Sequence, residues 1–395
     1  MNQKIKNADK IIVLGGTGHL GSALIHYLNK VLQIDPEKIH AFYLSRTPTD
    51  AIDDIPGLKY VPGNILQPDS VEKAMTGADV VFHMVGNTSF DPRKKLIQWL
   101  VNVEGTYNVL EAYRKSETIK KMVYTSTVNT LAVPDPLGSI GTIETCDPYS
   151  SQFEMHSFEN REDALSFGER VRRSESEEWV KEIGIGYFDS KLTAQELVND
   201  YAANFGLNIT SVLPGTMFGP YDYLVGNGMY LISLFHNKMP GVLPGGMPFA
   251  HVMDVARGHV TALENAKKGS RYIITGERND NLYLMDMVKI IVEELRLAFP
   301  QHKIKLPKRM FKKRIAMIGA ALSEMFSRIT NKPNPLSRDA VKCGSLPLFY
   351  TSNKAESEIG YKPEHTFRTA VRDMIKYYDQ YGIFSRDSRY VDRME

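Results

Sequence analysis

The chain has 395 residues, enough to bury a substantial core in one large domain or two of ordinary size. Its 48 Lys and Arg against 46 Asp and Glu leave a net charge of +2, which carries no general signal for nucleic acid or for an acidic partner. The only cysteines, Cys146 and Cys343, lie far apart without metal-ligand spacing, which argues against a disulfide framework or a thiolate zinc site and for a reducing, cytoplasmic setting.

The first residues, Met1-Asn2-Gln3-Lys4-Ile5-Lys6, leave no room for a signal peptide before an apolar run begins, and no apolar run reaches the ~18 residues of a membrane span. That first run, 10–14, enters Gly15-Gly16-Thr17-Gly18-His19-Leu20-Gly21. Glycines at 15, 18 and 21 let the chain turn tightly, let backbone approach a pyrophosphate, and let the next helix pack close with its N-terminal N–H groups toward the anion. Leu20, Ala23, Leu24, Tyr27 and Leu28 recur at helical spacing behind the turn. Both GxxGxxG from Gly15 and GxGxxG from Gly16 fit, so spacing alone does not choose a dinucleotide-binding style.

Further strand-like runs at 41–44, 58–61, 80–84, 122–125 and 209–213 alternate with helical patterns. This predicts an α/β fold, a Rossmann-like doubly wound parallel sheet with helices on both faces. The second run ends Leu44-Ser45-Arg46 with no acid before Asp50. NAD-selective folds place Asp or Glu there against the 2′-hydroxyl, whereas a guanidinium at Arg46 suits a 2′-phosphate, so NADP(H) is favoured over NAD(H). The fifth run ends in three hydroxyl residues, Thr125, Ser126 and Thr127, which places donors at the carboxyl edge of the sheet.

A long connection, 133–185, precedes the sixth run, and its middle, 158–182, is dense in Glu, Arg and Ser. It reads as a solvated helical excursion or lid, with a partner site as the alternative. Tyr187 and Lys191 then open a helical pattern and stack on one face. A neighbouring ammonium favours the phenolate and brings the phenol nearer the working pH range. A second Tyr-x-x-x-Lys, Tyr350 to Lys354, lies outside the nucleotide-binding half and reads as structural.

Pro- and Gly-rich segments at 213–220 and 239–248 look like substrate-facing loops, and 271–275 reads as a strand returning to the sheet. The predicted division is a nucleotide-binding domain of 1–213 and about 250–276, and a smaller, mostly helical substrate-binding lobe of 214–249 and 277–395. The basic stretch 303–314 leads into Ile315, Ile318, Leu322, Met325 and Ile329 on one helical face. It reads as a core-packing helix with a solvated flank, a membrane-surface helix being the alternative. His251 and His259 have no third ligand candidate converging on them, so no metal is expected.

Taken together, residues 15–21, 79–86 (Asp-Val-Val-Phe-His-Met-Val-Gly), 102–112, 123–127, Tyr187 with Lys191, 213–220 and 251–256 resemble the extended short-chain dehydrogenase/reductase family. The later pieces, from Leu306-Pro307 through 335–339 to 352–355 and 358–363, look more loosely like the 3β-hydroxysteroid dehydrogenase and dihydroflavonol reductase branch. The resemblance implies Tyr187 as general acid/base, Lys191 as holder of the nicotinamide ribose, and Thr127 as the hydroxyl that binds the substrate oxygen, with Ser126 the fallback. Asn102 would support the site and its proton path. The dinucleotide would lie along Gly15, Thr17, Gly18, His19, Leu20, Gly21, Arg46, Asn64, Ile65, Val85, Gly86, Thr125, Pro214 and Thr216. At Asn64 the family often has aspartate, which an amide can partly replace. The resemblance also implies a homodimer through helices that include the one bearing Tyr187. The expected activity is interconversion of a secondary alcohol and a ketone on a steroid-, flavonoid- or β-keto-acyl-like substrate. A sugar-nucleotide epimerase or dehydratase with bound NAD, and a non-catalytic dinucleotide sensor, are the rivals.

Overall fold

The computed structural model describes residues 3–147, 185–331, 334 and 336–386. Seven parallel strands form the main sheet: β1 (Ile11–Leu14), β2 (Ile39–Tyr43), β3 (Lys59–Pro62), β4 (Val80–His83), β5 (Lys121–Thr125), β7 (Ile209–Pro214) and β10 (Arg271–Ile274), where β6 is the two-residue Ile140–Gly141 outside it. Their spatial order is β3-β2-β1-β4-β5-β7-β10. The order reverses between β1 and β4, which opens a crevice at the carboxyl ends where doubly wound sheets bind ligands. All seven runs read from the sequence are strands of this sheet, within a residue or two at each end.

The apolar runs are continuous rather than alternating because both faces are covered. Along β1, Ile11 and Val13 join one core cluster while Ile12 and Leu14 join another, as a strand's two-residue period requires. The first cluster lies under helices α1 (His19–His26) and α5 (Val252–Asn265); the second lies under α2 (Pro68–Met75), α3 (Gly105–Lys115) and α4 (Gly186–Asn204). Nearly every position of α4 is buried, so its sequence lacks the strong one-sided pattern of a surface helix.

A separate apolar cluster gathers Phe218, Leu231, Phe249, Met287, Ile291 and Phe367. It packs a three-stranded sheet, β8 (Thr216–Phe218), β9 (Gly246–His251) and β11 (Asn281–Tyr283), against α6 (Leu284–Ala298) and α9 (Phe367–Gln380). The sequence reading anticipated mostly helix here; strands of three to six residues amid Pro and Gly carry too little alternation to read. β12 (Phe349–Tyr350) pairs with β6 and ties this late segment to the connection after β5. Of that connection, residues 148–184, with the whole charged middle 158–182, lie outside the described residues.

The basic-flanked helix α7 (Lys313–Thr330) packs on α8 (Arg338–Gly344) in the opposite sense to the core-packing expectation. Ala316 and Ala320 face inward against Val341, while the larger Ile315, Ile318, Leu322, Met325 and Ile329 are 54–76% exposed. Small inward residues permit close helix approach, and the inward Glu324 carboxylate accepts from both the Arg338 backbone N–H (2.7 Å) and its Nε (2.9 Å), which fixes the rotation of α7. No helix among the described residues is long and apolar enough to cross a membrane.

Candidate active site

The glycine turn is held to its neighbours by backbone alone. Gly15 adopts φ +91°, open to glycine and strained for other residues. The Gly15 and Gly16 N–H groups both donate to the Phe42 carbonyl, at 2.9 and 3.0 Å, which fastens the turn to the end of β2. A Cβ at Gly15 would meet the Val85 nitrogen at 3.1 Å, and one at Gly21 would lie 2.1 Å from the Gly15 oxygen. The first turn of α1 therefore sits directly over β1. Gly18 starts α1 with no side-chain cap, so the helix presents its N-terminal N–H groups to an incoming anion. Thr17 is buried, Leu20 enters the core under α1, and His19 Nε2 contacts the Pro220 carbonyl at 3.1 Å.

Arg46 stands exposed in the turn after β2, the strand next to the one that ends in the glycines. Asn64 spends its side-chain oxygen on the Leu66 N–H (3.0 Å), so its amide NH2 is the part left to face an adenine. Next to it, buried Ile65 packs on Gly105 and its carbonyl accepts from Asn108 Nδ2.

Beyond β4, Gly86 stands beside two polar groups: a Cβ there would be 3.5 Å from Asn102 Oδ1 and 3.8 Å from Lys191 Nζ. Asn102 is buried and fully used. Its oxygen accepts from the Asn87 N–H (2.7 Å), and its NH2 donates to the Asn87 carbonyl (3.0 Å) and to Ser190 Oγ (2.9 Å). Ser190 in turn donates to the Tyr187 carbonyl (3.0 Å), so Asn102 links the loop after β4 to the first turn of α4.

Tyr187 and Lys191 occupy the first two turns of α4, and both are buried. Lys191 Nζ donates to the Thr125 carbonyl (2.8 Å) and the Tyr124 hydroxyl (3.1 Å), at the carboxyl end of β5. Burial pulls its pKa from the usual 10.5 to about 7. Burial also pushes the Tyr187 phenol up to about 12, with the Thr127 hydroxyl opposing the rise through a hydrogen bond. The expectation that the ammonium brings Tyr187 down toward neutral pH is therefore corrected. Desolvation outweighs it, and the ammonium is spent on Tyr124 and the β5 carbonyl.

The lysine shift has a measurable consequence. Between about pH 7 and pH 10 the unfolded chain holds a proton on Lys191 that the folded chain does not, so stability rises with pH across that window. Thermal midpoints should climb more steeply from pH 7 to 10 in the wild type than in Lys191→Met. Equal slopes in a thermal-shift series would show that the charge is not desolvated.

The three hydroxyls after β5 divide. Thr125 Oγ1 bonds His259 Nε2 at 2.9 Å. Because His259 Nδ1 lies 2.8 Å from the Val255 carbonyl and burial lowers the ring's pKa to about 4, Nδ1 carries the proton and Nε2 accepts from Thr125. The expected donor role of the Thr125 hydroxyl at the sheet edge is corrected accordingly: its backbone oxygen, bound to Lys191, is the part at the site. Thr127 Oγ1 accepts from the Asn129 N–H at 3.3 Å and stands next to Tyr187. Ser126 Oγ is buried with no hydrogen-bond partner among the described residues. After β7, Pro214 ends the strand and Thr216 begins β8, its hydroxyl donating to Met247 Sδ at 3.0 Å.

The wall around Tyr187 is apolar: Phe90 packs edge-on at 5.9 Å, with Leu131, Val133, Cys343 and Leu346 in the same cluster. Burial raises the Cys343 thiol to about 12, so it is packing rather than a nucleophile. Sequence reading missed Tyr124, the partner of Lys191, and the His83–Thr106 pair behind it (3.0 Å), where burial and the Lys191 charge drive His83 down to about 3. Alternation along β5 could have found Tyr124, since it must face away from Val123. The second Tyr-x-x-x-Lys does not form a comparable site: the Tyr350 hydroxyl donates to the Ala132 carbonyl (2.9 Å) and Lys354 lies over the Tyr272 ring. Among the described residues, no cluster of His, Cys, Asp and Glu could hold a metal ion.

The arrangement has relatives. Residues 12–138 match the 3-beta hydroxysteroid dehydrogenase/isomerase family and residues 172–275 the NAD dependent epimerase/dehydratase family. A putative dihydroflavonol 4-reductase of Synechocystis sp. is 24% identical over 97% of this chain and 98% of its own length. Sterol demethylase protein B of Methylococcus capsulatus is 24% identical over 94% and 99%. The crystal structure of gox2253 shares the fold, with a TM-score of 0.71 at 24% identity over 95% of this chain and 99% of that one. Matched in its first third by one of these family models and in its middle by the other, and over almost its whole length by reductase and sterol-modifying relatives, the chain is similar to the oxidoreductases of the extended short-chain dehydrogenase/reductase family.

Proposed function

We propose that the protein is an NADP(H)-dependent oxidoreductase that interconverts a secondary alcohol and a ketone on an apolar substrate. The observation that carries this reading is the phenol of Tyr187 beside the Thr127 hydroxyl, set in an apolar wall one helical turn from Lys191. The chain suits a dinucleotide at the carboxyl edge of the sheet, because the uncapped start of α1 and the places where a Cβ would collide at Gly15 and Gly21 form a backbone cradle for a pyrophosphate. When bound, the dinucleotide supplies or accepts the hydride.

In the reductive direction the Thr127 hydroxyl fixes the carbonyl oxygen, and Tyr187 gives it a proton. A phenol held near pKa 12 is protonated at neutral pH and so carries the proton that the acid role needs. Lys191, on the same face of α4, donates to the Thr125 carbonyl and the Tyr124 hydroxyl and so fixes the helix that carries Tyr187 against the carboxyl end of β5. Asn102 is a positioning residue that fixes α4 against the loop after β4. Phe90, Val133 and Leu346 exclude water and favour a steroid-, flavonoid- or long-chain keto-like substrate over a sugar.

The choice of NADP(H) rests on Arg46, whose exposed guanidinium follows β2 where an acid would otherwise meet the ribose. Arg46→Ala should raise KM for NADPH by roughly tenfold, the loss of one charge-assisted contact, and leave KM for NADH unchanged. Steady-state kinetics with both dinucleotides tests this; equal KM changes for the two would remove Arg46 from the phosphate site. A second reading, a sugar-nucleotide epimerase or dehydratase, draws on the match of residues 172–275. Purified protein carrying tightly bound NAD would favour it.

A further inference from the structure

The outer face of α7 is apolar for its whole length, and nothing among the described residues covers it. Ile315, Ile318, Leu322, Met325, Phe326 and Ile329 form an exposed stripe, about 20 Å long at 1.5 Å per residue. Such a stripe is costly in water unless something covers it. Its rotation is not adjustable, because Ala316, Ala320 and Glu324 are fixed against α8 on the other side.

The flank decides what the face suits. Lys308, Arg309, Lys312, Lys313 and Arg314 are exposed at the start of the helix, and none has an ion-pair partner among the described residues. No acid occurs anywhere in 295–323. Cations at a helix N-terminus oppose the helix dipole, so this placement is unfavourable for an isolated helix and becomes favourable against a negative surface. A second copy whose α7 ran parallel to this one would bring the same cations together, and one running antiparallel would leave them unpartnered. An anionic bilayer instead offers hydrocarbon to the stripe and phosphate to the flank.

We propose that α7 is a monotopic anchor that lies in the interfacial plane of an anionic lipid bilayer, its stripe in the acyl boundary and its basic flank among the headgroups. α8 links this helix to the surroundings of Tyr187: Val341 packs on α7, and Cys343, two residues on, packs in the cluster around Tyr187. Anchoring through α7 would bring lipid-dissolved apolar substrate close to the wall of the site that carries Tyr187. That corollary rests on the proposed alcohol–ketone chemistry, whereas the anchor itself does not.

Flotation of the full chain with vesicles tests the anchor. The protein should float with phosphatidylcholine vesicles containing about 30 mol% phosphatidylglycerol, and at least tenfold less with phosphatidylcholine alone or in high salt. The double variant Ile318→Glu/Leu322→Glu should lose binding to both, and Lys312→Glu/Lys313→Glu should lose only the anionic preference. All four positions are exposed, so thermal midpoints and turnover of a water-soluble ketone should stay as in the wild type. Vesicle binding that is absent, or equal in wild type and variants, overturns the proposal. So does self-association in sedimentation that Ile318→Glu/Leu322→Glu abolishes while vesicles bind neither protein. Each of these failures leaves turnover by Tyr187 intact and so is distinct from failure of the proposed chemistry.

Discussion

Tyr187→Phe should reduce kcat by about 10²- to 10⁴-fold, the usual contribution of a positioned acid/base, while dinucleotide affinity and the thermal midpoint change little. The ring is buried against Phe90 and Phe188, and phenylalanine keeps those contacts. The hydroxyl is the only group removed. Thr127 would still hold the substrate oxygen and Lys191 would still bond Thr125 and Tyr124, so KM should move far less than kcat. A fall in kcat and kcat/KM together identifies an interaction made in the transition state; a rise in KM alone would mark the phenol as a binding group. Because Tyr187 stays protonated up to about pH 12, the reductive rate should show no loss from tyrosine ionisation up to about pH 9.

Gly21→Ala should abolish dinucleotide binding within the range of a titration and lower stability by about 1–3 kcal/mol, the usual cost of overpacking. The new methyl would lie 2.1 Å from the Gly15 carbonyl oxygen and 3.0 Å from the Gly16 Cα. Both are backbone atoms, so no rotamer change relieves the clash. Either α1 moves off β1 or the Gly15 turn opens, and both displace the N–H groups of the proposed pyrophosphate cradle. Gly319→Ala is the matched control, since nothing lies within 4 Å of a Cβ there. Isothermal titration with NADPH and NADH, alongside thermal shift, separates the binding loss from the folding loss.

Much of this protein is legible in its sequence because its central strands are buried on both faces. Ile11-Ile12-Val13-Leu14 and Val80-Val81-Phe82 read as strands since every position must be apolar, and Gly15 and Gly21 have no alternative, the first at a positive φ and the second where a Cβ meets backbone. The candidate site residues come from the carboxyl ends of β1, β2, β3, β4, β5 and β7, from α4 and from Asn102 just before α3, and the resemblance implies them from motifs spread over the whole chain. What the sequence does not carry is the balance of opposing effects. Tyr187 and Lys191 at i and i+4 suggest that one tunes the other; burial of both reverses the sign for the tyrosine. Thr125, Ser126 and Thr127 look equivalent in order, yet a buried His259 from α5 claims the first hydroxyl. The α7 pattern is the clearest case, because helical periodicity gives an apolar face without saying which way it points. Only Ala316 and Ala320 packing on Val341 turns that face outward.

Turnover of a panel of apolar ketones and alcohols with NADPH, NADP, NADH and NAD, run in parallel on wild type and Tyr187→Phe, tests the central claim most directly. At least one apolar ketone should be reduced with NADPH in preference to NADH, and that activity should fall by at least about 10²-fold in the variant. Full activity in Tyr187→Phe on every accepted substrate would contradict the assignment of Tyr187 as the proton donor.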